Sequence, residues 1–401
     1  MSEETIDLCY DLYSLPTAQH KAGLAGLCVL LKTLKRRKIG PLPEIAFPEE
    51  GIVTLSISKV TLETIFNDLY DAAWEETESK SKWPDATPLR EEVRPIVDQA
   101  TGKTKNVKYF IYNRVVPKGA FLDALQASEP WLKLWRDALW NTLRGKPTTR
   151  TPYNERADGK PVYEVDKTWK SLQKYQRKPL ATEEIASSIY IGAQAINAEK
   201  VPFVGRIDEN LLLHFWQVVM RIFVPEIINN EGKAEFKGYV LAIPEVCDVE
   251  GFLEDFSLMV SQLKTDLKGY RPAESVISVP QEGALEYIAA LVRNKAQDGN
   301  LAYNISSVEV VHLEKRGNNI TMLSSSRLPV DDAVRGKYES IRSGHYRHPL
   351  FKLQMIRNLL DGKDWYSGFD RVFSSRDKDW FLGFKTWFPI DVSSHFKLMN
   401  Q

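Results

Sequence analysis

Ile52-Val53-Thr54-Leu55-Ser56-Ile57-Ser58 alternates apolar and polar residues with the period of two of a half-buried strand, and the period changes immediately afterwards. Beyond Thr61, the residues Leu62, Ile65, Phe66, Leu69 and Trp74 recur at helical spacing, so the pattern predicts a strand feeding a helix. Upstream, Thr17 is a candidate cap for a helix with Leu24, Leu27, Cys28, Leu31 and Leu34 on one face. It ends in the basic run Lys32, Lys35, Arg36, Arg37 and Lys38. Downstream, a polar stretch from about Glu75 to Thr104 precedes a predicted strand over Val107 to Val116. A helix is then predicted over Ala120 to Leu143, studded with Trp131, Trp135 and Trp140. Such strand–helix alternation indicates a mixed α/β N-terminal part.

From Gly145 to about Pro179 the regular pattern lapses. Pro147, Pro152, Gly159 and Pro161 interrupt the chain before a short helical piece around Trp169, so this segment reads as a functional loop. Asp208 is a candidate cap for a helix turning Leu211, Leu212, Phe215, Val218, Val219 and Ile222 inward. A strand near Tyr239 to Ile243 and a helix from about Val249 to Leu267 follow. Val308 to Leu313 and Ile320 to Leu323 bracket Arg316, Gly317, Asn318 and Asn319, a composition that favours a tight hairpin turn. Pro349 suits a helix start, and that helix should run to Leu360 with Gly362 beyond its end. The expectation is an α+β, multi-domain chain with an N-terminal part over 1–145, a basic loop region over 146–180 and a second α+β region over 181–401.

At 401 residues the chain is longer than one core usually serves, and 53 Lys+Arg against 53 Asp+Glu leave no net charge. Any affinity for nucleic acid must therefore reside in local patches. The three widely spaced cysteines, Cys9, Cys28 and Cys247, read as buried thiols of a reducing compartment. Glu3, Glu4, Asp7 and Asp11 are unlike the basic start of a secretory signal, and no apolar run approaches the ~18 residues of a membrane span. A soluble, cytoplasmic protein is expected.

Catalytic motifs are missing: HExxH, CxxC and GxSxG do not occur. Gly145-Lys146-Pro147-Thr148 fails as a phosphate loop, because Trp140 stands where a glycine is needed and Pro147 where a hydroxyl is needed. His345 and His348 are three apart but lack companion ligands, and His214 reads as a hydrogen-bonded core or flank residue. Neither a metal nor a cofactor is expected.

Local charge says more. Between Arg136 and Lys178 there are eleven Lys/Arg and five Asp/Glu, a net +6, interleaved with Tyr153, Tyr163, Trp169 and Tyr175. Thr148, Thr149, Arg150, Asn154, Arg156, Lys167, Trp169, Lys170 and Lys174 are candidates for gripping phosphates and stacking on bases; a solvated loop with a basic helix face would have the same composition. Weaker candidates are Lys103, Lys105 and Lys108 around the predicted strand, and Arg316, Asn318 and Asn319 at the hairpin tip.

The segment Leu15-Pro16-Thr17-Ala18-Gln19-His20-Lys21-Ala22-Gly23-Leu24-Ala25-Gly26-Leu27 resembles the N-terminal signature of a known family. That family is the Cascade large subunit, the CRISPR-associated protein eight family, in its MYXAN-like branch. His348-Pro349-Leu350-Phe351 through Trp365-Tyr366-Ser367-Gly368-Phe369-Asp370 extends the resemblance, more loosely between these ends. It implies a non-catalytic subunit of a crRNA-guided complex that recognises the motif flanking a target (the PAM) in duplex DNA and helps open that duplex. Implied partners are crRNA, target double-stranded DNA, the handle-binding and backbone subunits, and a separate small subunit. A helicase–nuclease or a transposition apparatus would follow as effector, with no membrane involved.

Gln19, His20 and Lys21 lie in the first turn of the capped helix, where free N–H groups favour an anion such as an RNA phosphate. Gly23 and Gly26 allow close approach of a neighbouring backbone, for RNA or merely for packing. Family members commonly end in a helical bundle resembling the small subunit, and this sequence, ending at Gln401, is expected to lack it. Two other classes stay open: a general RNA- or DNA-binding protein outside CRISPR, and a hydrolase built on an acidic pair.

Overall fold

Helix α1 (Ala18–Arg36) is the axis of the N-terminal half, and Thr17 caps it as expected, with extended backbone and a side chain accepting from the His20 N–H at 3.4 Å. The computed structural model describes residues 4–83, 86–97, 102, 104–193, 201–229, 233–293, 303–317, 319–344, 346, 348–374 and 387–399. Within them α1 is buried almost all round: Ala22, Gly23, Ala25, Gly26, Val29 and Leu30 are as enclosed as the predicted apolar face. A helix that is apolar on every side belongs inside a core.

On one side of α1 lies an antiparallel sheet of β1 (Thr5–Asp11), β3 (Ile52–Ser58) and β2 (Glu44–Ala46), in the order β1-β3-β2. Ile6, Leu8 and Tyr10 of β1 and Val53, Leu55 and Ile57 of β3 are its buried positions, as the period of two requires. Helix α2 (Lys59–Leu69) starts earlier than expected. Ser58 is its cap, accepting from the Thr61 N–H at 3.2 Å, while Thr61 accepts from the Ser58 N–H at 2.8 Å.

Trp74 is not on that helix but on β4 (Ala72–Ser79). With β5 (Arg90–Val97) and β6 (Thr104–Pro117), β4 forms a second antiparallel sheet of order β4-β6-β5. The stretch read as merely polar therefore contains two strands. Cross-strand ion pairs hold them, Arg90–Glu76 at 2.6 Å and Arg94–Glu78 at 2.8 Å, and β5 is largely exposed, so no hydrophobic alternation marks them.

The region read as one helix over 120–143 is two, α3 (Ala120–Ala124) and α4 (Glu129–Asn141), parted where Gln126 takes a left-handed φ of 65°. The segment read as a loop is mostly helical, comprising a 3₁₀ turn at Pro147–Arg150, α5 (Thr151–Ala157) and α6 (Glu164–Arg177). Pro147 and Pro152 sit in first turns, where a missing N–H costs nothing, Pro161 lies in the linker before α6, and Gly159, with φ 74°, follows the end of α5.

Beyond the ribbon of β7 (Thr182–Glu184) and β8 (Val204–Arg206) comes α7 (Ile207–Leu212), capped at Arg206 and not at Asp208. The helix expected to continue to Ile222 stops at Leu212. A 3₁₀ turn at Trp216–Val218 follows, and Ile222 lies in strand β9 (Arg221–Ile228), a short apolar run whose period cannot separate helix from strand.

The largest sheet has the order β10-β9-β11-β15-β16, from β10 (Ala234–Phe236), β9, β11 (Tyr239–Val246), β15 (Ile305–Arg316) and β16 (Asn319–Pro329). Helix α8 (Val249–Ser261) is shorter than expected. It is followed by the pair β12 (Leu267–Lys268) and β13 (Arg271–Pro272), by β14 (Val276–Ile277) running parallel to β9, and by α9 (Glu282–Leu291). Helices α10 (Asp332–Ser343), α11 (Pro349–Leu360), α12 (Phe369–Ser374) and a helix over Trp387–Met399 complete the described chain. Pro349 opens α11 and Gly362 (φ 64°) follows its end.

The architecture is the mixed α+β expected. One core runs from Ile6 to Leu313 with contributions from 1–145, 146–180 and 181–401, and a second gathers Leu285, Tyr338, Phe351, Ile356 and Phe369. A buried polar seam joins them: the Tyr338 hydroxyl donates to Glu286 at 2.6 Å and Glu282 at 3.1 Å, and Lys352 pairs with Glu282 at 3.0 Å. Cys28 is buried, its thiol pushed up to about 12 by burial, but Cys9 is exposed and Cys247 half-buried, correcting the expectation of three buried thiols. Among the described residues no helix is long and apolar enough to cross a membrane, and no group of three or more His, Cys, Asp or Glu is arranged for a metal.

Candidate nucleic-acid interface

Helix α6 is amphipathic. Val165, Trp169 and Leu172 face inward, and Lys167, Lys170, Lys174 and Arg177 occupy the exposed side at spacings of three and four. Two of these cations have partners, Lys167 with Glu164 at 3.2 Å and Lys174 with Glu183 at 3.1 Å, whereas Lys170 stands in solvent beside them. Thr148 and Asn154 are exposed on the preceding turn and on α5, and Thr149 is half-buried with its hydroxyl donating to the Lys146 carbonyl at 2.7 Å.

Other expected contacts are engaged within the chain. Trp169 is 7% exposed and packs in the core, so it offers no ring to a base. Arg150 lies 4.8 Å over the Trp140 ring and donates to the carbonyls of Arg144 at 2.7 Å and Trp140 at 3.2 Å; burial holds its guanidinium below the usual arginine range. Arg156 closes the end of α5 on the Lys160 carbonyl at 3.0 Å.

Gln19 is 2% and His20 3% exposed, which takes both away from an RNA phosphate. The Gln19 amide exchanges two 3.0 Å hydrogen bonds with the Ile191 backbone. The His20 ring lies 2.7 Å from the Thr17 hydroxyl, and burial brings its pKa down to about 4. Lys21 bonds Glu245 at 3.0 Å.

Of the weaker candidates, Lys105 and Lys108 are exposed on opposite faces of β6, and Lys108 pairs with Glu91 at 2.5 Å. Arg316 bonds Glu314 at 2.6 Å, next to the exposed Asn319. Lys103, Asn318, His345 and Arg347 lie outside the described residues.

Composition did not reveal the cleft beside α6. A cavity of about 320 Å³ opens between the Thr148–Pro152 turn, α6, the 183–189 strand and loop, and α7, with Tyr70, Arg144 and His214 among its lining residues. The Tyr70 hydroxyl lies 3.2 Å from His214 Nδ1, and Arg144 stacks on the Tyr70 ring at 5.6 Å. Arg144 donates from Nη1 to the Ser188 carbonyl at 2.9 Å and from Nη2 to the Tyr70 hydroxyl at 3.4 Å, while its buried Nε has no acceptor. Burial, reinforced by Arg144 and Lys167, holds His214 down to about 3, so its ring is neutral at ordinary pH. Tyr70 and His214 stand 144 residues apart, and no spacing rule connects them.

The arrangement offers groups suited to binding an anion: a basic helix face, hydroxyl donors and a buried arginine on the cleft floor. Two family profiles match the sequence, the type I-B CRISPR Cas8b N-terminal domain over residues 42–300 and the type I-B CRISPR Cas8b C-terminal domain over residues 305–401. No curated protein matches it. Together the two domains span nearly the whole sequence, and the chain belongs to the Cas8b family, the large subunits of type I-B CRISPR Cascade complexes.

Proposed function

We propose that this Cas8b chain is the non-catalytic subunit that grips the duplex flanking the target, using the exposed face of α6 and the turn beside it. The observation carrying this reading is the row Lys167, Lys170, Lys174 and Arg177 on a helix anchored into the core by Val165, Trp169 and Leu172. A rigid helix presenting cations at 5–6 Å intervals can follow a phosphate backbone, and Thr148 and Asn154 add donors alongside. In this reading the protein works in the cytoplasm with crRNA, target DNA and the other Cascade subunits, reads the flanking motif, helps open the duplex and supports recruitment of a helicase–nuclease or transposition effector. Assignment to the MYXAN-like branch rests on Leu15 to Leu27, which precede the residues matched by the family.

The test is reconstitution with crRNA and partner subunits, followed by measuring affinity for a flanked target duplex across a salt series. Lys170→Glu with Lys174→Glu should weaken binding in all flanking sequences and reduce the salt slope by about 1 for each phosphate the helix no longer neutralises. Unchanged affinity and slope in a complex of normal composition would exclude α6 from the interface.

A further inference from the structure

Arg144 is 3% exposed, and among the described residues no carboxylate pairs with it. A guanidinium taken out of water normally brings a counter-charge, because removing an unpaired ion from water is expensive. Here Arg144 meets only neutral oxygens, and it uses them unevenly. The Nη1 bond to the Ser188 carbonyl is well formed at 2.9 Å, Nη2 reaches the Tyr70 hydroxyl only at 3.4 Å, and Nε has no acceptor. The Nε–Nη2 edge is thus the unsatisfied side of the fork, and two parallel donors on that edge match two oxygens of a phosphate. The same residue lines a cleft of about 320 Å³ together with Lys167 and the Thr148 hydroxyl.

We propose that the cleft floored by Tyr70, Arg144 and His214 seats one phosphate group of a nucleic-acid strand. Four carboxylates also line the cleft, and three are engaged along its walls: Glu164 with Lys167, Glu183 with Ser171 at 2.6 Å and with Lys174, and Glu155 with the Tyr163 N–H at 3.0 Å, which leaves Arg144 as the lining cation without a carboxylate partner among the described residues. Glu184, the fourth, is exposed to solvent and screened there. The neutral His214 ring fixes the Tyr70 hydroxyl without adding a second buried charge. The choice of a strand over a free ion rests on the reading of α6 above, since Lys167 belongs both to the cleft and to the basic row.

The test uses the full chain. Its melting temperature is compared in potassium phosphate and potassium chloride at equal ionic strength, for the wild type, Arg144→Met and Thr148→Ala. Affinity of each for a labelled 20-nucleotide single-stranded DNA is measured at fixed salt. Phosphate should raise the melting temperature of the wild type and not of Arg144→Met, and both substitutions should weaken the oligonucleotide, by about tenfold for Arg144→Met. If Arg144→Met does not fold, Thr148→Ala on the exposed turn carries the comparison, with a smaller phosphate response and weaker oligonucleotide binding. A phosphate response with oligonucleotide affinity unchanged in the variants would overturn the strand assignment in favour of a free anion. An identical wild-type melting temperature in phosphate and chloride would overturn the site itself, while leaving the α6 reading to its own charge reversals.

Discussion

Replacing Gly26 by alanine sets a methyl carbon 2.1 Å from the Phe215 carbonyl oxygen and 2.9 Å from its carbon, and the same change at Gly23 meets the Leu212 oxygen at 2.2 Å and carbon at 2.7 Å. A carbon–oxygen contact relaxes at about 3.3 Å, so the opposing backbone must retreat by about 1 Å at either position. Backbone carbonyls cannot swing aside as a side-chain tip can, and overpacking of this kind costs about 1 to 3 kcal/mol. Against it stands the better helix propensity of alanine, about 1 kcal/mol in favour of the substitution. Taking the upper end of that cost, about 3 kcal/mol, for a clash with backbone, each single variant should lose about 2 kcal/mol. The pair, one turn apart against the same neighbour, should lose only about 1 kcal/mol, because one retreat of the 212–215 segment serves both while the propensity gain counts twice.

Gly336 in α10 is the internal control, since a methyl group there meets nothing within 4 Å and Gly336→Ala should stabilise by about 1 kcal/mol. Urea midpoints of the four variants, converted with the wild-type slope, measure all of these differences. If Gly26→Ala stabilises as Gly336→Ala does, α1 does not lie against that backbone and the account of the signature stretch is wrong.

Lys21→Met should lower stability by about 2 kcal/mol, by leaving the nearly buried Glu245 with only Ser307 and Arg327, and should leave crRNA retention in the complex untouched. Reduced crRNA retention at unchanged stability would instead restore Lys21 as an RNA contact. His214 is near 3 in the fold and about 6.5 in the unfolded chain, so on acidification the unfolded state takes the proton first. Its contribution is full above pH 6.5 and drains away as pH falls toward 3, by about 2 kcal/mol between pH 6.5 and 5. Urea midpoints at pH 7 and pH 5 should therefore fall further for the wild type than for His214→Asn, and equal falls would count against a buried neutral imidazole. Lys352→Ala leaves Glu282, 1% exposed, without its cation in the seam between the two cores, and should destabilise by about 3 kcal/mol in calorimetry. A change under about 0.5 kcal/mol, the range of ordinary surface substitutions, would mean that the seam is open to water.

Much of the fold was legible in the sequence because its signals are local. The Thr17 cap, the alternation from Ile52 to Ser58, and the Pro349 start and Gly362 stop of α11 depend on backbone chemistry within a few residues, and each element formed where those residues placed it. The family signature was equally plain, but its physical meaning was not. Gly23 and Gly26 were compatible with an RNA contact or with packing, and only the approach of the Leu212 and Phe215 carbonyls decides for packing.

Elements stabilised by partners far along the chain were illegible. Strands β4 and β5 lack an apolar face because Glu76, Glu78, Arg90 and Arg94 pair across them. By sequence Ile222 fits a helix as well as a strand, because a short buried apolar run satisfies either period until its neighbours are known. The candidate site divides the same way. The sequence by itself determined that positive charge gathers between Arg136 and Lys178, since counting residues suffices for that. Only the tertiary structure decided which of those charges face water: Lys170 stands on an exposed helix face, whereas Arg144, drawn inside, meets Tyr70 and His214 from distant parts of the chain. The reason is that burial and pairing are properties of a side chain's surroundings, and those surroundings are assembled from segments that no local pattern links.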